Sequence, residues 1–570
     1  MAQIPARPTS LLLAVLLLSA STADAATLTV TTLANAGAGS LREAITLAAP
    51  GDTIEFAVTG TILLTSGSLS IGKNLAIDGP GSSQLVINGG NARAFDVSAA
   101  ANVTIRDLAI EDAITSFGAG IRNQGTLLLE RVTLRNNYAD SGSAGVENSG
   151  SLTLRSCLVH GNNGDFSGTV NSSGPLVEVE GTVFTSNYLS HGSGAIRLTA
   201  GHLIVRDSTF VGNVADGAGA IQVFSGATAD IERSLFSANW GSVSGGAIIN
   251  AGNMTLTNCT LTGNRSSDAP GAAIRNSGTV TTSFCTIVFN DARAGTSAGG
   301  VMNSGTFTAI NTVFAGNLAT ANPDFSGTLT SAGHNLIQNP SGTVIVGDTT
   351  GNLLGVAPVL GALLPNGGPT RTHAAGSPVL DAGDSAGAPA TDQRGYDRIS
   401  DGDGDLVAIA DIGAYERQAG CVDEDGDTFE WASVPGSACA LTADCNDQDP
   451  TIFSGALEVN DGKDNECPGD DGFGLVDDLS GIASFATLAD PTRYSWTAQG
   501  GATSYQIARG NVPGFGAGCT TFTTASTFLL DPATPASKGA FYYLVRPFAP
   551  LVGSFGAASS GTPRAIPCAP

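Results

Sequence analysis

An all-β solenoid, a coil of stacked repeats, is predicted by three observations. Asn137, Asn162, Asn187, Asn213, Asn239, Asn264, Asn290 and Asn317 recur at intervals of 25 to 27 residues. Three positions before each stands an apolar residue: Leu134, Val159, Phe184, Phe210, Phe236, Leu261, Ile287 and Phe314. Eight and ten positions back the residues are mostly apolar, and seven and nine back mostly polar, the period-two alternation of strands with one face inward.

Each remaining column follows from that register. Five positions back the residues are small: Val132, Cys157, Thr182, Ser208, Ser234, Cys259, Cys285 and Thr312. Twelve back, Gly125, Gly150, Gly201, Gly252, Gly278 and Gly305 predict a tight backbone turn, with Pro175 and Ala227 breaking the column. The repeat is too short for two helices and has no 3.6-residue period, but it suits three short strands separated by turns. Coils stacked at the ~4.8 Å strand spacing would place Phe on Phe inside and Asn on Asn at a turn. An asparagine there can tolerate left-handed backbone geometry and bond its amide to the next coil. A second column, Asn123, Asn148, Asn250, Asn276 and Asn303, lies 14 residues ahead of the first. Both read as scaffold, not as ligand site.

With these columns the chain resembles right-handed parallel β-helices of the pectin-lyase-like type, in the branch with an N-terminal CSLREA motif. The matching residues are Ser40, Leu41, Arg42, Glu43, Ala44 and Ile45, with Gly39 in place of the motif's cysteine. The run from Ser40 to Ala49 predicts a short helical cap that stands without that cysteine, and about twelve coils between Thr27 and a C-terminal cap would give a rod of roughly 60 Å.

Composition sets the compartment and excludes partners. Glycine supplies 75 of 570 residues and charged residues only 13%, so turns and ladders replace a thick core. Residues 1–25 read as a secretory signal: Arg7, an apolar run from Leu11 to Leu18, then Ala23, Asp24 and Ala25 as the cleavage site. No later run is long and apolar enough to span a bilayer. A net charge of -25 argues against nucleic acid or an anionic membrane as partner. The expected location is secreted or at the cell surface. Cys157, Cys259 and Cys285 belong to the inward small column, where packed thiols are expected. Cys421, Cys439, Cys445, Cys467, Cys519 and Cys568 form an even set that fits an oxidising compartment.

Seven positions before the ladder asparagine, Glu130, Arg155, Glu180, Arg206 and Glu232 alternate in charge, with Glu178 and Asp230 on the same face. One reading is a polysaccharide lyase or glycoside hydrolase acting on uronate-type polymers, with Arg155 or Arg206 as the basic group. The other is a surface salt ladder worth roughly 0.2 to 1 kcal/mol per pair. Strict alternation favours the ladder, because a catalytic cluster holds like charges together. The five histidines share no motif, and no residue is assigned a catalytic role.

Past the coil, expected over residues 26–376, the text changes three times. Residues 377–420 resemble the choice-of-anchor Q element through Asp381, Asp384, Asp392, Arg394, Gly395, Asp411, Ile412, Gly413, Ala414 and Glu416. A polar cap over the open end would block end-to-end stacking. Its Asp401, Asp403 and Asp405 form either a cation site or a solvated turn.

Residues 421–480 are an acidic segment; from 421 to 478 there are 16 acids against Lys463 alone. Asp423, Asp425, Asp427, Asp444, Asn446, Asp447, Asp449, Asp461, Asp464 and Asn465 offer hard oxygen ligands suited to structural Ca²⁺ rather than to Zn²⁺. An EF-hand is excluded, since Thr428 and Val434 occupy the positions that need glycine and glutamate. The segment resembles the metal-binding motif of MopE-type proteins, departing from it at Asn460, usually cysteine, and at Glu466, usually aspartate.

Residues 481–570 alternate as a small β-sandwich with Trp496, Tyr505, Tyr543 and Leu544 as core or corner residues, and resemble a fibronectin type III domain. Cys519 and Cys568 are candidates to clip its end. The expected whole is a secreted, non-catalytic stalk with structural calcium, an adhesin or a binder of glycan or surface protein.

Overall fold

The computed structural model describes residues 25–419 except 243–244, 268–269, 293–297 and 404. Beyond these it describes 421–422, 431–432, 446, 449, 451–453, 456, 459–465, 467, 484–487, 490–511, 519–534, 541–553 and 555. The signal segment expected before residue 25 lies outside the described residues.

The coil forms in the predicted register, every strand pairing in parallel with the equivalent strand of the next turn. Thr126–Glu130, Ser151–Arg155, Leu176–Glu180 and His202–Arg206 align residue for residue, so a column in the sequence is a column in space. Three walls result: a broad sheet of 24 strands, a second of 13 and a narrow third of 7. Between them runs one continuous apolar core. The rings of Phe184, Phe210 and Phe236 stack in it with centroids 5.0 and 4.8 Å apart and planes within 5°. Full burial of such a side chain contributes about 1.5–3 kcal/mol. Cys157, Cys259 and Cys285 are buried free thiols. Thr182 and Ser208 each donate their backbone N–H to the hydroxyl of the next coil at 3.1 and 3.2 Å.

The ladder asparagines are buried, and each shares its amide with two coils. Asn187 Nδ2, for example, donates to Asn213 Oδ1 at 2.8 Å and to the Val159 carbonyl at 3.0 Å, while Asn213 Oδ1 also accepts the Asn187 backbone N–H. The left-handed geometry that an asparagine could tolerate falls instead on the residue before it. Asn136, Ser186, Ala238 and Phe289 have φ of 53–57°, and Gly161, Gly212, Gly263 and Gly316 serve in the intervening coils. An outward-facing residue makes the bend, which leaves the inward asparagine extended with its amide in line with its neighbours. The glycine column also has a different cause from the one expected. A Cβ on Gly150 would lie 1.9 Å from the Gly125 carbonyl oxygen, so close stacking of coils requires glycine in this column, and only Gly201 in it also has positive φ, +79°.

At the N-terminus the helix Leu41–Leu47 buries Leu41, Ala44 and Ile45 on the first turns. Ser40 Oγ accepts from Glu43 N–H at 3.2 Å and Glu43 Oε2 from Gly39 N–H at 2.6 Å, a variant of the capping box in which the glutamate reaches the N–H one residue before the cap. Gly39 has φ +76°, and a Cβ would sit 2.3 Å from Thr31 Oγ1, so this backbone excludes a cysteine.

At the other end the expectation of a cap across the open end is corrected: residues 360–416 lie along the side of the coil. They contact its second sheet turn after turn, through Thr370 Oγ1 to the Arg233 carbonyl (3.2 Å), Thr260 to Gln393 (2.6 Å), His373 to Thr262 (3.0 Å) and Ala414 N–H to Thr286 Oγ1 (3.0 Å). A second apolar core forms between them from Val288, Val313, Ala315, Leu336, Val379, Ile412 and Tyr415. Outer-face positions that hold Arg135 and His160 in early turns hold Thr262, Val288 and Ala315 here, small enough to be covered.

Near the C-terminus two antiparallel sheets of three strands each are described. One contains Ser484–Thr487, Asp490–Ser495 and Phe528–Leu530, the other Ser504–Gly510, Thr520–Thr524 and Tyr542–Ala549. Tyr494, Trp496, Tyr505, Ile507 and Val545 pack together, with Tyr543 at their edge, as the alternation predicts. No helix among the described residues is long and apolar enough to cross a membrane.

Candidate functional site

The charged column lies on the outer face of the broad sheet, and among the described residues its members pair across coils at each step except that from Glu180 to Arg206. Arg155 Nε lies 3.0 Å from Glu180 Oε2 and its Nη1 3.9 Å from Glu130 Oε1; Arg206 Nε lies 3.4 Å from Glu232 Oε2. The ladder begins earlier than the repeat columns indicated. Arg106 joins Asp78 at 3.4 Å to Glu130 at 2.8 Å. A second row runs beside it, Arg131 on Asp107 (2.7 Å) and Arg233 on Asp207 (2.8 Å), and the Asp207 carboxylate holds the Arg233 guanidinium above its usual pKa. Sequence reasoning missed this second row because its residues occupy only some coils.

Around Arg206 the face sinks into an open hollow of about 170 Å³ lined by Arg206, Asp230, Glu232, Thr255 and Thr257. Its acids are already engaged. Asp230 lies 3.2 Å from His202 Nε2 and accepts from Thr255 Oγ1, while Glu232 also meets Arg233 at 2.7 Å. Asp230 and Glu232 stand two residues apart on one strand, so both address a bound chain from one side. A glycosidase needs two carboxylates that flank the scissile bond.

The coil is a right-handed parallel β-helix. A sequence family described as "Right handed beta helix region" matches residues 170–341, and one described as "Putative metal-binding motif" matches residues 444–471. No curated protein matches the chain. Among solved structures, pectate lyase Pel9A is 14% identical over 69% of this chain and 98% of its own, with a TM-score of 0.36. The PL6 family alginate lyase AlyGC is 13% identical over 57% of this chain and 53% of its own, with a TM-score of 0.30. A mannuronic acid specific polysaccharide family 6 lyase from human gut microbiota is 11% identical over 54% and 86%, with a TM-score of 0.27. These are likenesses of the β-helix alone and assign no chemistry to its faces.

Of the ten residues expected to hold a metal, Asp423, Asp425, Asp427, Asp444 and Asp447 lie outside the described residues. Asn446 accepts from Asp449 N–H through its carbonyl at 2.9 Å. Asp449 accepts from the Lys463 ammonium and from Thr451 Oγ1 (2.7 Å), which hold its carboxyl below the usual range. Asp461 accepts from Lys463 N–H at 3.0 Å. Asn465 uses both ends of its amide on the backbone, accepting from Val459 N–H (2.9 Å) and donating to the Thr451 carbonyl (3.1 Å). Asp464 is described among them. Asn460, where the motif usually has cysteine, bonds both the N–H and the carbonyl of Leu551 at 3.0 and 3.1 Å, joining the acidic segment to the terminal sheets. Cys467 and Cys519 are each disulfide-bonded.

In the side-packed segment, Asp381, Asp401 and Asp403 bring carboxylate oxygens within 4.8 Å of one another, and burial raises the Asp381 pKa. Asp405 instead accepts from Val407 N–H in a local turn at 2.8 Å.

Proposed function

We propose that the chain is an exported, non-catalytic β-helix stalk that binds a glycan or surface partner along the side of its coil, with structural calcium in its acidic segment. The observation that carries this reading is the pairing of Arg106, Arg155 and Arg206 with carboxylates on neighbouring coils. A proton-abstracting base or an acid–base pair needs charge that substrate can engage, and here that charge is spent between coils. Export rests on the N-terminal signal pattern and on the cysteine set.

Calcium rests on the donor set. The segment from 421 to 478 offers many carboxylates and no histidine, and the disulfide at Cys467 removes one thiolate. A bound cation would add to the single positive charge of Lys463 among 16 acids, with Asp461 among its holders and Asp449 exchanging its Lys463 partner for the ion. Calorimetry with CaCl2 should show binding heat, and chelator should lower the melting temperature of the C-terminal transition; neither change occurring would overturn the calcium assignment.

A second reading, lyase or hydrolase action on uronate polymers, is favoured only by the hollow at Arg206. Reducing-sugar and unsaturated-product assays on polygalacturonate and alginate, run beside a glycan array, separate the two. Binding without product is expected; product release that Arg206→Ala abolishes would reverse the order.

A further inference from the structure

The narrow third sheet carries a row of exposed rings that neither the scaffold nor the charged ladder explains. Its strands align Ile114, Tyr138, Asn163, Tyr188, Val214, Trp240 and Arg265 in one outward column. Tyr138, Tyr188 and Trp240 are 36%, 48% and 46% exposed, and it is their alignment in one column, not the exposure of any one ring, that suggests a binding surface. They fall on every second coil, about 9–10 Å apart at the strand spacing, which matches the length of two pyranose rings in an extended β-1,4-linked chain. Asn163 and Val214 fill the coils between.

We propose that this column is a stacking platform for an uncharged, extended β-1,4-linked glycan lying parallel to the coil axis. This deepens the stalk reading and rests on it. The apolar C–H faces of such sugars suit the electron-rich faces of aromatic rings. Trp240 Nε1 donates to Ser267 Oγ at 2.8 Å and Tyr138 Oη to Asp165 Oδ2 at 3.4 Å, so both rings are held at their edges while they stay exposed. Beside the column, Phe166 stacks on His191 at 4.9 Å and widens the platform at the coil of Asn163. The flanking acids Asp140, Asp165 and Asp216, on a chain of net charge -25, oppose a uronate polymer and select a neutral one. The platform is on a different wall from the charged ladder, so the two are separable by mutation.

The test is depletion of the full chain on microcrystalline cellulose and calorimetry with cellohexaose, with soluble starch and polygalacturonate as controls. Retention on cellulose is expected. The triple variant Tyr138→Ala/Tyr188→Ala/Trp240→Ala should weaken binding at least about ten-fold. Tyr138→Phe/Tyr188→Phe, which keeps the rings, should bind as the parent does, and Glu180→Gln on the other wall should have no effect. Equal retention of parent and triple variant overturns the platform. So does self-association in sedimentation that the triple variant abolishes, which would make the rings a contact between copies. If cellohexaose fails while the array finds another glycan, the platform falls and the stalk reading stands.

Discussion

Arg398 reaches out of the side-packed segment to donate to the side-chain oxygen of Asn258, 140 residues away in sequence, and its guanidinium lies 4.5 Å over the Phe284 ring. It also lies 3.5 Å from Glu416, in a pair with no solvent exposure. Removing the guanidinium strands the buried side-chain oxygen of Asn258 and the carbonyls of Gly413 and Ala414, so Arg398→Ala should destabilise the segment by about 1–3 kcal/mol for each acceptor left unpaired. Hydrogen exchange should then show residues 377–416 losing protection while the coil keeps its own.

The same cluster makes the segment pH-sensitive. Burial pushes Asp411 up to about 7, and burial with repulsion from Asp411 pushes Glu416 up to about 9. The folded form therefore keeps protons that the unfolded chain gives up above about pH 4. Stability is greatest near or below the unfolded values and falls as pH rises toward 9. Exchange protection of residues 377–416 should decrease from pH 5 to 9, and Glu416→Gln should flatten that dependence.

Phe210 is sandwiched between two parallel rings in a core with no exposure. Phe210→Ala should cost about 3–5 kcal/mol in urea unfolding. Phe210→Leu should cost clearly less.

The outer ladder should count for little. Arg155 is 45% exposed, and Arg155→Ala is expected to change stability by less than about 1 kcal/mol, a difference that shrinks further in high salt. Urea titrations at low and high ionic strength check both statements.

Asn460 makes its two bonds to Leu551 where the related motif would carry a cysteine. Asn460→Ala should cost about 1–3 kcal/mol by stranding those backbone groups. Limited proteolysis should then cut the acidic segment more readily, with the coil unaffected.

The register of the coil was legible because each column repeats one kind of residue. Asn, Phe and the small residues return in phase, and a parallel stack turns that phase into contact. The left-handed positions were not, because Asn136, Gly161, Ser186, Gly212 and Ala238 share a conformation and no side-chain type. The side placement of residues 360–416 depends on pairs such as Thr260 with Gln393, which no short spacing announces. Its trace in sequence is only the shift from Arg135 and His160 to Thr262 and Val288 on the outer face. The ring column was legible in principle, since Tyr138, Tyr188 and Trp240 each follow a ladder asparagine directly, but only the alternate coils carry one.

Asn317 donates its backbone and side-chain N–H groups to Asp324 Oδ1 at 3.2 and 2.9 Å, in the place where every earlier rung meets another asparagine. An asparagine receives and passes on; an aspartate can only receive. Asp324 is therefore a terminator, and a copied repeat inserted before the turn of Arg233, ahead of the turns that the side-packed segment contacts, would find a partner on both sides. Such a chain can change its length by whole turns through internal duplication, while the residues that end it stay as they are.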